Sequence, residues 1–381
     1  MKKICVLTGT RAEYGLLKPV MKAIKKNGME LSLIVTGMHL SKEFGYSVNE
    51  IIEDGFKIEK RVEMNPKEDT GFSMAQSVGN GINEISKALK EINPDIFLVL
   101  GDRIEPLAGT ITAAYMNIPI AHIHGGDSAR AGLDESVRHA ITKFSHIHFP
   151  ATKKSAERII KMGENPKNVF IVGAPGLDAI FTTNFLSKAE LEKKFNIDLS
   201  KPLIIMLQHS VTTEIEKAGK QVQETLEAIK ELGYQTIIIY PNSDAGGREI
   251  IEQIKKYENL NFIKIYKNLV HDEYLSLLRN ASVLVGNSSS GIIESASFKL
   301  PVVNIGTRQE GRERSSNVID APHDKKLIVK AIEKALLDRS FRNRVKKCKN
   351  IYGDGKTGER IAKILNEIKI DKKLLQKKIS Y

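Results

Sequence analysis

Acid and base side chains cluster in the first half of the chain, where they follow predicted strands. The segments that carry them are Gly101-Asp102-Arg103, His122-Ile123-His124-Gly125-Gly126-Asp127, and Asp134-Glu135 with Arg138-His139. Because the carboxyl ends of adjacent parallel strands lie at one edge of a sheet, we expect these groups to lie close together. Carboxylates and imidazoles are the usual proton-transfer groups of enzymes. The sequence therefore predicts that a proton-transfer site is built from acid and base groups of these segments, with Asp127 among the candidates.

The histidines also suggest a metal site as an alternative. His122 and His124 share one strand face because side chains alternate along a strand, and so do His146 and His148. The third and fourth ligands that a metal site needs have no consistent spacing in the sequence, so we predict no metal ion and no cofactor. We expect His146 and His148 to be structural residues that bond to backbone carbonyls.

Two loops have the composition of anion-binding sites. The first, Thr8 to Gly15, joins a strand to a helix, and Arg11 adds a permanent positive charge to the free N–H groups there. A tight packing turn explains this loop equally well. The second follows a strand and contains Ser288, Ser289 and Ser290, with Glu294 four residues after the last serine. The serines suit a diphosphate and the glutamate suits a ribose, whereas serines alone are also common helix caps.

Three other polar segments follow predicted strands of the second half. They are Gln208 to Thr213, which contains His209, Pro241 to Asp244, which contains Asn242, and Gly306 to Arg314, which contains three arginines. A helix cap is as good an explanation of His209 as a ligand contact. A solvated loop is the default explanation for the arginines, but their position at the carboxyl end of a strand favours a phosphate site.

Alternating strand and helix patterns must position these groups. Apolar runs bounded by turns alternate with amphipathic stretches as far as about Asp320, which is typical of βαβ units and of the α/β class. The predicted strands are 4–7, 31–35, 96–100, 118–123 and 147–149 in the first half and 203–207, 236–240, 283–285 and 302–305 in the second half. The predicted helices of the first half are 17–26, 74–92 and 106–116.

The length of 381 residues predicts two domains, because single hydrophobic cores stop growing at smaller sizes. We place the first domain at 1–173 and the second at 174–355, with a hinge at Gly173. The remaining residues, 356–381, read as one long helix that returns to the first domain.

Composition indicates which binding partners and which cellular compartment to expect for the protein. The net charge of +12 comes from lysines spread over polar faces without interleaved aromatic residues, so we predict a solvated surface and no nucleic-acid partner. Such a field also attracts a dianionic ligand. Two cysteines without a CxxC pair indicate a reducing cytoplasm, and no apolar run is long enough to cross a membrane.

The polar segments resemble those of the hydrolysing UDP-N-acetylglucosamine 2-epimerases of sialic-acid and legionaminic-acid biosynthesis. The strings that carry the resemblance run in the family's order and span nearly the whole chain: GTRAEYG, TGMHLSKEFGYSV, GDRIEP, HIHGGD with DESVRHAITKFSHIHF, LQHSVTTE, PNSDAG, GNSSSGIIES, NIGTRQEGR and IYGDG. The resemblance implies a GT-B fold, in which two Rossmann-like domains face a central cleft. It also implies a UDP-sugar substrate and a homodimer or a dimer of dimers.

The resemblance also implies roles for single residues. The residues implied on the nucleotide side are Ser288, Ser289 and Ser290 for the diphosphate, Glu294 for the ribose, Arg11, His209 and Arg308 for the phosphates, and Asn242 in the nucleotide pocket. Asp102, His124 and Asp134 are implied as acid and base groups beside the sugar. We add Arg103, Arg138, Gln309 and Arg312 as substrate-binding candidates. The sequence departs from the family pattern at Asp127, where the usual residue is a glutamate, and this leaves the division of acid and base roles open.

The implied reaction turns a UDP-2-acetamido sugar and water into free UDP and the C2-inverted sugar. Because the proton on C2 is not acidic, we expect loss of UDP from C1 together with that proton, and then addition of water to the resulting 2-acetamidoglycal. A non-hydrolysing epimerase and a retaining glycosyltransferase of the same fold are alternatives, and a non-catalytic nucleotide-sugar-binding protein is another. The sequence does not distinguish UDP-N-acetylglucosamine from a UDP-2,4-diacetamido-2,4,6-trideoxyhexose.

Overall fold

The computed structural model describes residues 1–65, 68, 70–128, 132–242 and 244–380. These residues form two compact units. The first consists of Met1–Ser128, Asp134–Phe181 and the segment that begins at Tyr352, and the second consists of Thr182–Ile351 with a short segment that ends at Leu133. None of the described helices is both long enough and apolar enough to span a bilayer.

Each unit contains one parallel sheet of six strands. The strands of the first sheet are β1 (Lys3–Thr8), β2 (Glu30–Thr36), β3 (Ile58–Val62), β4 (Ile96–Leu100), β5 (Ile120–Ile123) and β6 (Ile147–Phe149). Those of the second are β7 (Leu203–Leu207), β8 (Gln235–Ile239), β9 (Ile263–Tyr266), β10 (Val283–Gly286), β11 (Val302–Ile305) and β12 (Val318–Ala321). The spatial orders are β3-β2-β1-β4-β5-β6 and β12-β11-β10-β7-β8-β9. The predicted α/β class is confirmed.

Helices connect the strands. They are α1 (Arg11–Lys26), α2 (Val48–Glu53), α3 (Gly71–Ile92), α4 (Ile104–Tyr115), α5 (Gly132–Phe144), α6 (Lys153–Lys161), α7 (Pro175–Thr182), α8 (Lys188–Phe195), α9 (Ala218–Leu232), α10 (Gly247–Lys255), α11 (His271–Asn280), α12 (Ser290–Ile293), α13 (Lys325–Leu337), α14 (Arg339–Lys347), α15 (Thr357–Glu367) and α16 (Lys372–Leu375). Helices α8 to α14 belong to the second unit, and the others belong mainly to the first.

The first sheet is covered on both faces. On β1, Ile4 and Val6 belong to a buried cluster that also includes residues of α1 and α15, whereas Cys5 and Leu7 belong to another that includes residues of α3 and α4. Side chains alternate between the faces of a strand, so a strand covered on both sides is apolar throughout. This is why the central strands are recognisable in the sequence.

Three strands were not predicted: β3, β9 and β12. All three lie at the edges of their sheets, and their sequences, IEKRV, IKIY and VIDA, include charged residues. An edge strand has one unpaired side and less buried surface, so its sequence is less apolar. Several predicted boundaries also differ from those of the structure. In particular, α1 begins at Arg11 instead of residue 17, and β5 begins at Ile120, after Pro119.

The C-terminal segment is not the single long helix that we predicted. Helix α15 ends before Ile368, whose backbone is extended, and the Asp371 side chain caps α16 by accepting from the N–H groups of Lys373 and Leu374. Ile361, Ala362, Leu365 and Leu374 are buried in the core of the first unit.

The contact-defined boundary between the units lies at 181/182, eight residues after our predicted hinge. Helix α7 explains its position. The Asp178 carboxylate accepts hydrogen bonds of 2.8 and 2.5 Å from the backbone N–H groups of Thr357 and Gly358. The Ala174 N–H donates to the carbonyl of Tyr352 over 2.8 Å. These bonds tie α7 to the returning C-terminal segment.

Candidate active site

The proton-transfer candidates of the first unit follow two neighbouring strands. Leu100 of β4 is paired with Ile123 of β5, so Asp102 and His124 continue from the same edge of the sheet. Both connections turn sharply: Gly101 has φ +80° and His124 has φ +64°. A left-handed conformation is unusual for a residue other than glycine and often occurs at functional sites.

His124 and Asp127 form a buried pair. Nδ1 of His124 lies 3.1 Å from Oδ2 of Asp127, and the hydroxyl of Ser155 donates to Oδ1 of Asp127 over 2.7 Å. An ionised carboxylate only accepts hydrogen bonds, so a neutral His124 ring bonded to an ionised Asp127 has its proton on Nδ1 and its lone pair on Nε2. Nε2 is buried and has no hydrogen-bond partner among the described residues. This geometry is suited to a general base.

Arg138 holds the loops around this pair together. Its guanidinium forms an ion pair with Asp102 and donates to Oε2 of Glu135 over 2.8 Å and to the backbone carbonyl of Asp127 over 3.0 Å. Burial opposes the charge of Arg138, but the nearby carboxylates of Asp102 and Asp127 outweigh burial and raise its pKa. Arg138 is 2% exposed and is therefore placed to orient Asp102. Asp134 is partly exposed in the first turn of α5, one helical turn before Arg138.

Three other histidines of the first unit have structural roles. Nε2 of His122 lies 2.8 Å from the Gly101 carbonyl and its Nδ1 lies 3.2 Å from the Thr142 hydroxyl, while burial lowers its pKa to about 3. Nδ1 of His146 accepts from the N–H of Ile120. His148 contacts the Glu164 carboxylate over 3.2 Å. His146 also bonds to the backbone of Leu375, in keeping with the expected carbonyl partner, whereas the partner of His148 is a carboxylate instead of a carbonyl. The described residues contain no group of three or more His, Cys, Asp or Glu side chains placed to hold a metal ion.

Glu164 is the centre of a second charged cluster. Besides His148, the amino groups of Lys143 and Lys377 donate to its carboxylate over 2.6 Å each. Burial alone would raise the pKa of Glu164, but the three donors outweigh burial and lower it to about 2. The cluster ties the C-terminal segment to the first sheet.

Two predicted substrate arginines of the first unit are bound to carboxylates of their own unit. Nε of Arg11 donates to Glu50 over 2.6 Å, and Nε of Arg103 donates to Glu105 over 3.2 Å. Near these residues, Glu13 accepts from the N–H of Gly9 over 2.6 Å and is buried. Burial raises the pKa of Glu13 to about 8. Our reading of the sequence gave no role to Glu13 or Glu105.

In the second unit, Asn287 organises the polar loops. Its side chain accepts from the N–H of His209 over 2.7 Å and donates to the carbonyl of the same residue over 2.9 Å. Its own carbonyl accepts from Arg308 over 3.3 Å and from Gln309 over 2.9 Å. Gly286, which precedes it, has φ +129°, and a Cβ there would overlap the carbonyl oxygen of Leu207. A glycine and an asparagine at these positions thus bring the ends of β7, β10 and β11 together.

The serine loop differs in detail from our expectation. Helix α12 contains only four residues, and Glu294 follows it instead of lying within a longer helix. The hydroxyl of Ser290 donates to the Glu294 carboxylate and accepts from the hydroxyl of Tyr274 over 2.7 Å. Ser290 and Glu294 are buried, whereas Ser288 and Ser289 are partly exposed. Ser290 therefore orients Glu294, and the other two serines are the more accessible donors.

His209 and Asn242 lie side by side in the second unit. The N–H of Asn242 donates to Nδ1 of His209 over 3.1 Å, so the ring proton of the neutral imidazole is on Nε2. In this tautomer Nε2 of His209 is a hydrogen-bond donor and not a base. Nδ2 of Asn242 donates to Asp244 over 2.6 Å, and its Oδ1 has no partner within the described part of the chain. Ser243 lies outside the described residues.

The loop 306–314, which follows β11 and contains three arginines, is held in place by its own side chains. Arg312 donates to Oε1 of Gln309 over 3.0 Å, and Gln309 is 1% exposed. Gln309 is therefore a buried residue whose side chain supports the loop by donating to the Asn287 carbonyl. Arg308, the preceding residue, is partly exposed.

Within each unit, the structure thus brings several of the predicted residues into contact. His124 contacts Asp127, Asp102 contacts Arg138, and Ser290 contacts Glu294. Asn287, Tyr274 and Ser155 were missed. A polar residue beside the serines was a signal for Asn287, but the sequence carries none for Tyr274 or Ser155, which come from distant parts of the chain.

Known proteins match this chain over most of its length. The model of the UDP-N-acetylglucosamine 2-epimerase family matches residues 22–366. A UDP-N,N'-diacetylbacillosamine 2-epimerase (hydrolyzing) of Legionella pneumophila is 41% identical over 384 residues, with 100% of both chains covered. A GDP/UDP-N,N'-diacetylbacillosamine 2-epimerase (hydrolyzing) of Campylobacter jejuni is 36% identical and covers 84% of each chain.

A solved structure shows the same fold. The UDP-GlcNAc 2-epimerase from Neisseria meningitidis bound to UDP-GlcNAc superposes with a TM-score of 0.82, covering 96% of this chain and 100% of that one, at 18% identity. Such low identity informs on the fold alone, which is the predicted GT-B type with two Rossmann-like units. The two relatives, by contrast, match at 41% and 36% identity over 100% and 84% of this chain. This chain therefore belongs to the UDP-N-acetylglucosamine 2-epimerase family and is an enzyme of the epimerase class.

Proposed function

We propose that this enzyme is a hydrolysing 2-epimerase, which converts a UDP-2-acetamido sugar and water into free UDP and the C2-inverted free sugar. The observation that carries the proposal is the buried His124 ring, whose Nδ1 is held by Asp127 and whose Nε2 has no partner among the described residues. A base of this kind removes a proton that is only weakly acidic when a good leaving group departs at the same time.

The proposed reaction has two steps. In the first, His124 removes the proton from C2 while the C1–O bond to UDP breaks, and a double bond forms between C1 and C2. In the second, water adds across the double bond of the 2-acetamidoglycal, so its hydroxyl goes to C1 and a proton is delivered to C2 from the opposite face. Asp102, oriented by Arg138, and Asp134 are the proposed groups for this second proton transfer.

We assign the nucleotide to the second unit. The departing diphosphate carries negative charge, which hydrogen-bond donors and arginines stabilise. The proposed donors are Ser288, Ser289, His209 through Nε2–H, and Arg308, and Glu294 accepts from the ribose hydroxyls. Asn242 contributes an acceptor in Oδ1. Because Ser290 is bonded to Glu294 and Tyr274, we now assign it to positioning of the glutamate.

We propose fewer substrate contacts from the first unit than the sequence suggested. The carboxylates of Glu50 and Glu105 offset the charges of Arg11 and Arg103, so we expect each of these arginines to attract a phosphate less strongly. We retain Arg11 as a proposed phosphate ligand with this weaker attraction. Arg312 and Gln309 support the loop that carries Arg308.

For the sugar, we propose a UDP-2,4-diacetamido-2,4,6-trideoxyhexose rather than UDP-N-acetylglucosamine. Support comes from the two relatives above 35% identity, both named for diacetylbacillosamine. A place in the biosynthesis of a legionaminic- or sialic-acid-type sugar, in the cytoplasm, and a homodimer or dimer of dimers belong to the same proposal.

The test is incubation of the purified protein with each UDP sugar in water enriched in oxygen-18. We expect phosphorus NMR to show free UDP, and mass spectrometry to show one heavy oxygen at C1 of the released sugar, with the diacetamido substrate preferred. A UDP-linked epimer without free UDP would indicate the non-hydrolysing reaction instead. Binding without turnover of either sugar would contradict the proposal.

A further inference from the structure

Ser155 is a buried serine in the first turn of α6 with a hydroxyl aimed at the His124–Asp127 pair. It is 3% exposed, and its hydroxyl lies 2.7 Å from Oδ1 of Asp127. Its N–H is occupied by the Thr152 side chain, which caps the helix over 3.2 Å. The hydroxyl of Ser155 also lies 3.0 Å from Oγ1 of the same threonine, so a Ser155 hydroxyl that donates to Asp127 accepts from Thr152.

The direction of the bond follows from the chemistry of the carboxylate. An ionised Asp127 accepts only, so the Ser155 hydroxyl donates to Oδ1 while His124 Nδ1–H donates to Oδ2. Each oxygen is thus used by a different partner. A carboxylate fixed at both oxygens cannot rotate, and the imidazole that it holds is fixed in its turn.

The turn between His124 and Asp127 is packed directly on the start of α6. Gly126 has φ +74°, and a Cβ there would overlap the carbonyl oxygen of Ser155. This close approach leaves the short Asp127 side chain within reach of the Ser155 hydroxyl. The two segments are 28 residues apart in the sequence.

We infer that Ser155 is a positioning residue that keeps Asp127 ionised and oriented, so that the lone pair of His124 stays on Nε2 for removal of the C2 proton. This inference rests on the proposed function of His124. It assigns no contact between Ser155 and the substrate. The serine acts only through Asp127.

Two arginines on helices α5 and α6 lie beside the linked side chains of Ser155, Asp127 and His124. Arg138 of α5 donates to the carbonyl of Asp127 over 3.0 Å, and Arg158 of α6 donates to the carbonyl of Gly126. Both charges favour an ionised Asp127, and both remain when Ser155 is changed. Loss of the Ser155 hydroxyl therefore weakens the support of Asp127 without removing it.

The test compares Ser155→Ala with Ser155→Thr, which keeps a hydroxyl. In Ser155→Ala we expect kcat to fall about tenfold, in keeping with loss of one charge-assisted hydrogen bond. The His124–Asp127 pair should then take up a proton more easily. The acid limb of the plot of kcat against pH therefore moves to higher pH by about one unit. KM is expected to stay within about twofold because Ser155 does not touch substrate. Ser155→Thr should restore the profile.

Ser145→Ala is the matched control. Ser145 is also a fully buried serine of the first unit, but its hydroxyl donates to the backbone carbonyl of Ile141 over 2.7 Å. Its loss should leave kcat and the acid limb unchanged. If Ser155→Ala folds, binds UDP normally and shows the wild-type profile, the inference is wrong.

Nitrogen-15 NMR of the histidines provides a readout that does not depend on turnover. We expect the His124 signals of the wild type to show the Nδ1–H tautomer, and those of Ser155→Ala to show a mixture. Failure of the wild type to release UDP would refute the proposed function, whereas identical His124 tautomers in both proteins would refute the role of Ser155.

Discussion

Replacement of Asn287 by alanine should damage the nucleotide side of the enzyme in a way that can be separated from general destabilisation. The Asn287 side chain makes two hydrogen bonds, one with the N–H and one with the carbonyl of His209. Each lost bond costs about 1 kcal/mol, and leaving the His209 amide without an acceptor adds about 1–2 kcal/mol. We expect the free energy of unfolding to fall by about 3–4 kcal/mol.

The same substitution releases His209 from its fixed position. Nε2–H of His209 is a proposed donor to the diphosphate, so a mobile ring loses part of that interaction. We expect the Kd for UDP to rise about tenfold, which corresponds to about 1.4 kcal/mol. Isothermal titration calorimetry with UDP measures the affinity, and urea unfolding measures the stability.

Gln235→Ala is the matched control for Asn287→Ala. Gln235 bridges the N–H of Asp198 over 2.9 Å and its carbonyl over 2.5 Å, in the same pattern, but at the amino end of β8. This variant should lose stability and keep its affinity for UDP. If both variants bind UDP as tightly as the wild type does, the assignment of Asn287 and His209 to the nucleotide site is wrong. It is also wrong if both variants lose affinity for UDP to the same degree.

Three other substitutions test separate parts of the structure. Asp127→Asn should lower kcat by about 10²–10⁴ with little effect on UDP binding, because the amide would donate to Nδ1 of His124 and move the proton to Nε2; steady-state UDP release measures this. Gly286→Ala should prevent folding or cost more than about 3 kcal/mol, because the Cβ would overlap the Leu207 carbonyl at φ +129°; thermal unfolding measures it. Glu164→Gln should lower the free energy of unfolding by about 3 kcal/mol at pH 7, because the pKa of Glu164 is lowered to about 2 in the folded protein. The ionised Glu164 stabilises the fold above pH 4.5, and this stability is lost as the pH falls toward 2. Unfolding curves of both proteins across that pH range test it.

Each of these expectations has an outcome that would contradict it. Unchanged kcat in Asp127→Asn would exclude the proposed tautomer. Gly79, a helical glycine of α3 with open space at its Cβ position, is the control for Gly286, and Gly79→Ala should stabilise the fold by about 0.5–1 kcal/mol. A stability difference between wild type and Glu164→Gln that does not shrink as the pH falls would contradict the depressed pKa of Glu164.

The sequence allowed prediction of the central strands but not of the edges. Strands β4 and β7 were predicted with the bounds that the structure has, because both are buried on both faces and apolar throughout. Strands β3, β9 and β12 were missed because edge strands bury less surface and include charged residues. The break between α15 and α16 was missed because the apolar spacing continues across it.

The sequence indicated which loops to consider for the candidate site, but it did not indicate the partners of their side chains. Strand ends identified Asp102, His124 and the serine segment, since ligands lie at the carboxyl ends of parallel strands. Sequence could not show that Arg11 is paired with Glu50 or that Ser155 reaches Asp127, because these contacts join distant segments and depend on side-chain conformations.

The central claim is that a base in the first unit removes the C2 proton and that solvent replaces it. The most direct measurement is proton NMR of the released sugar after the reaction is run in deuterium oxide. We expect one deuterium at C2 in every product molecule, and we expect His124→Gln to abolish its incorporation. Retention of the original hydrogen at C2 would contradict the claim.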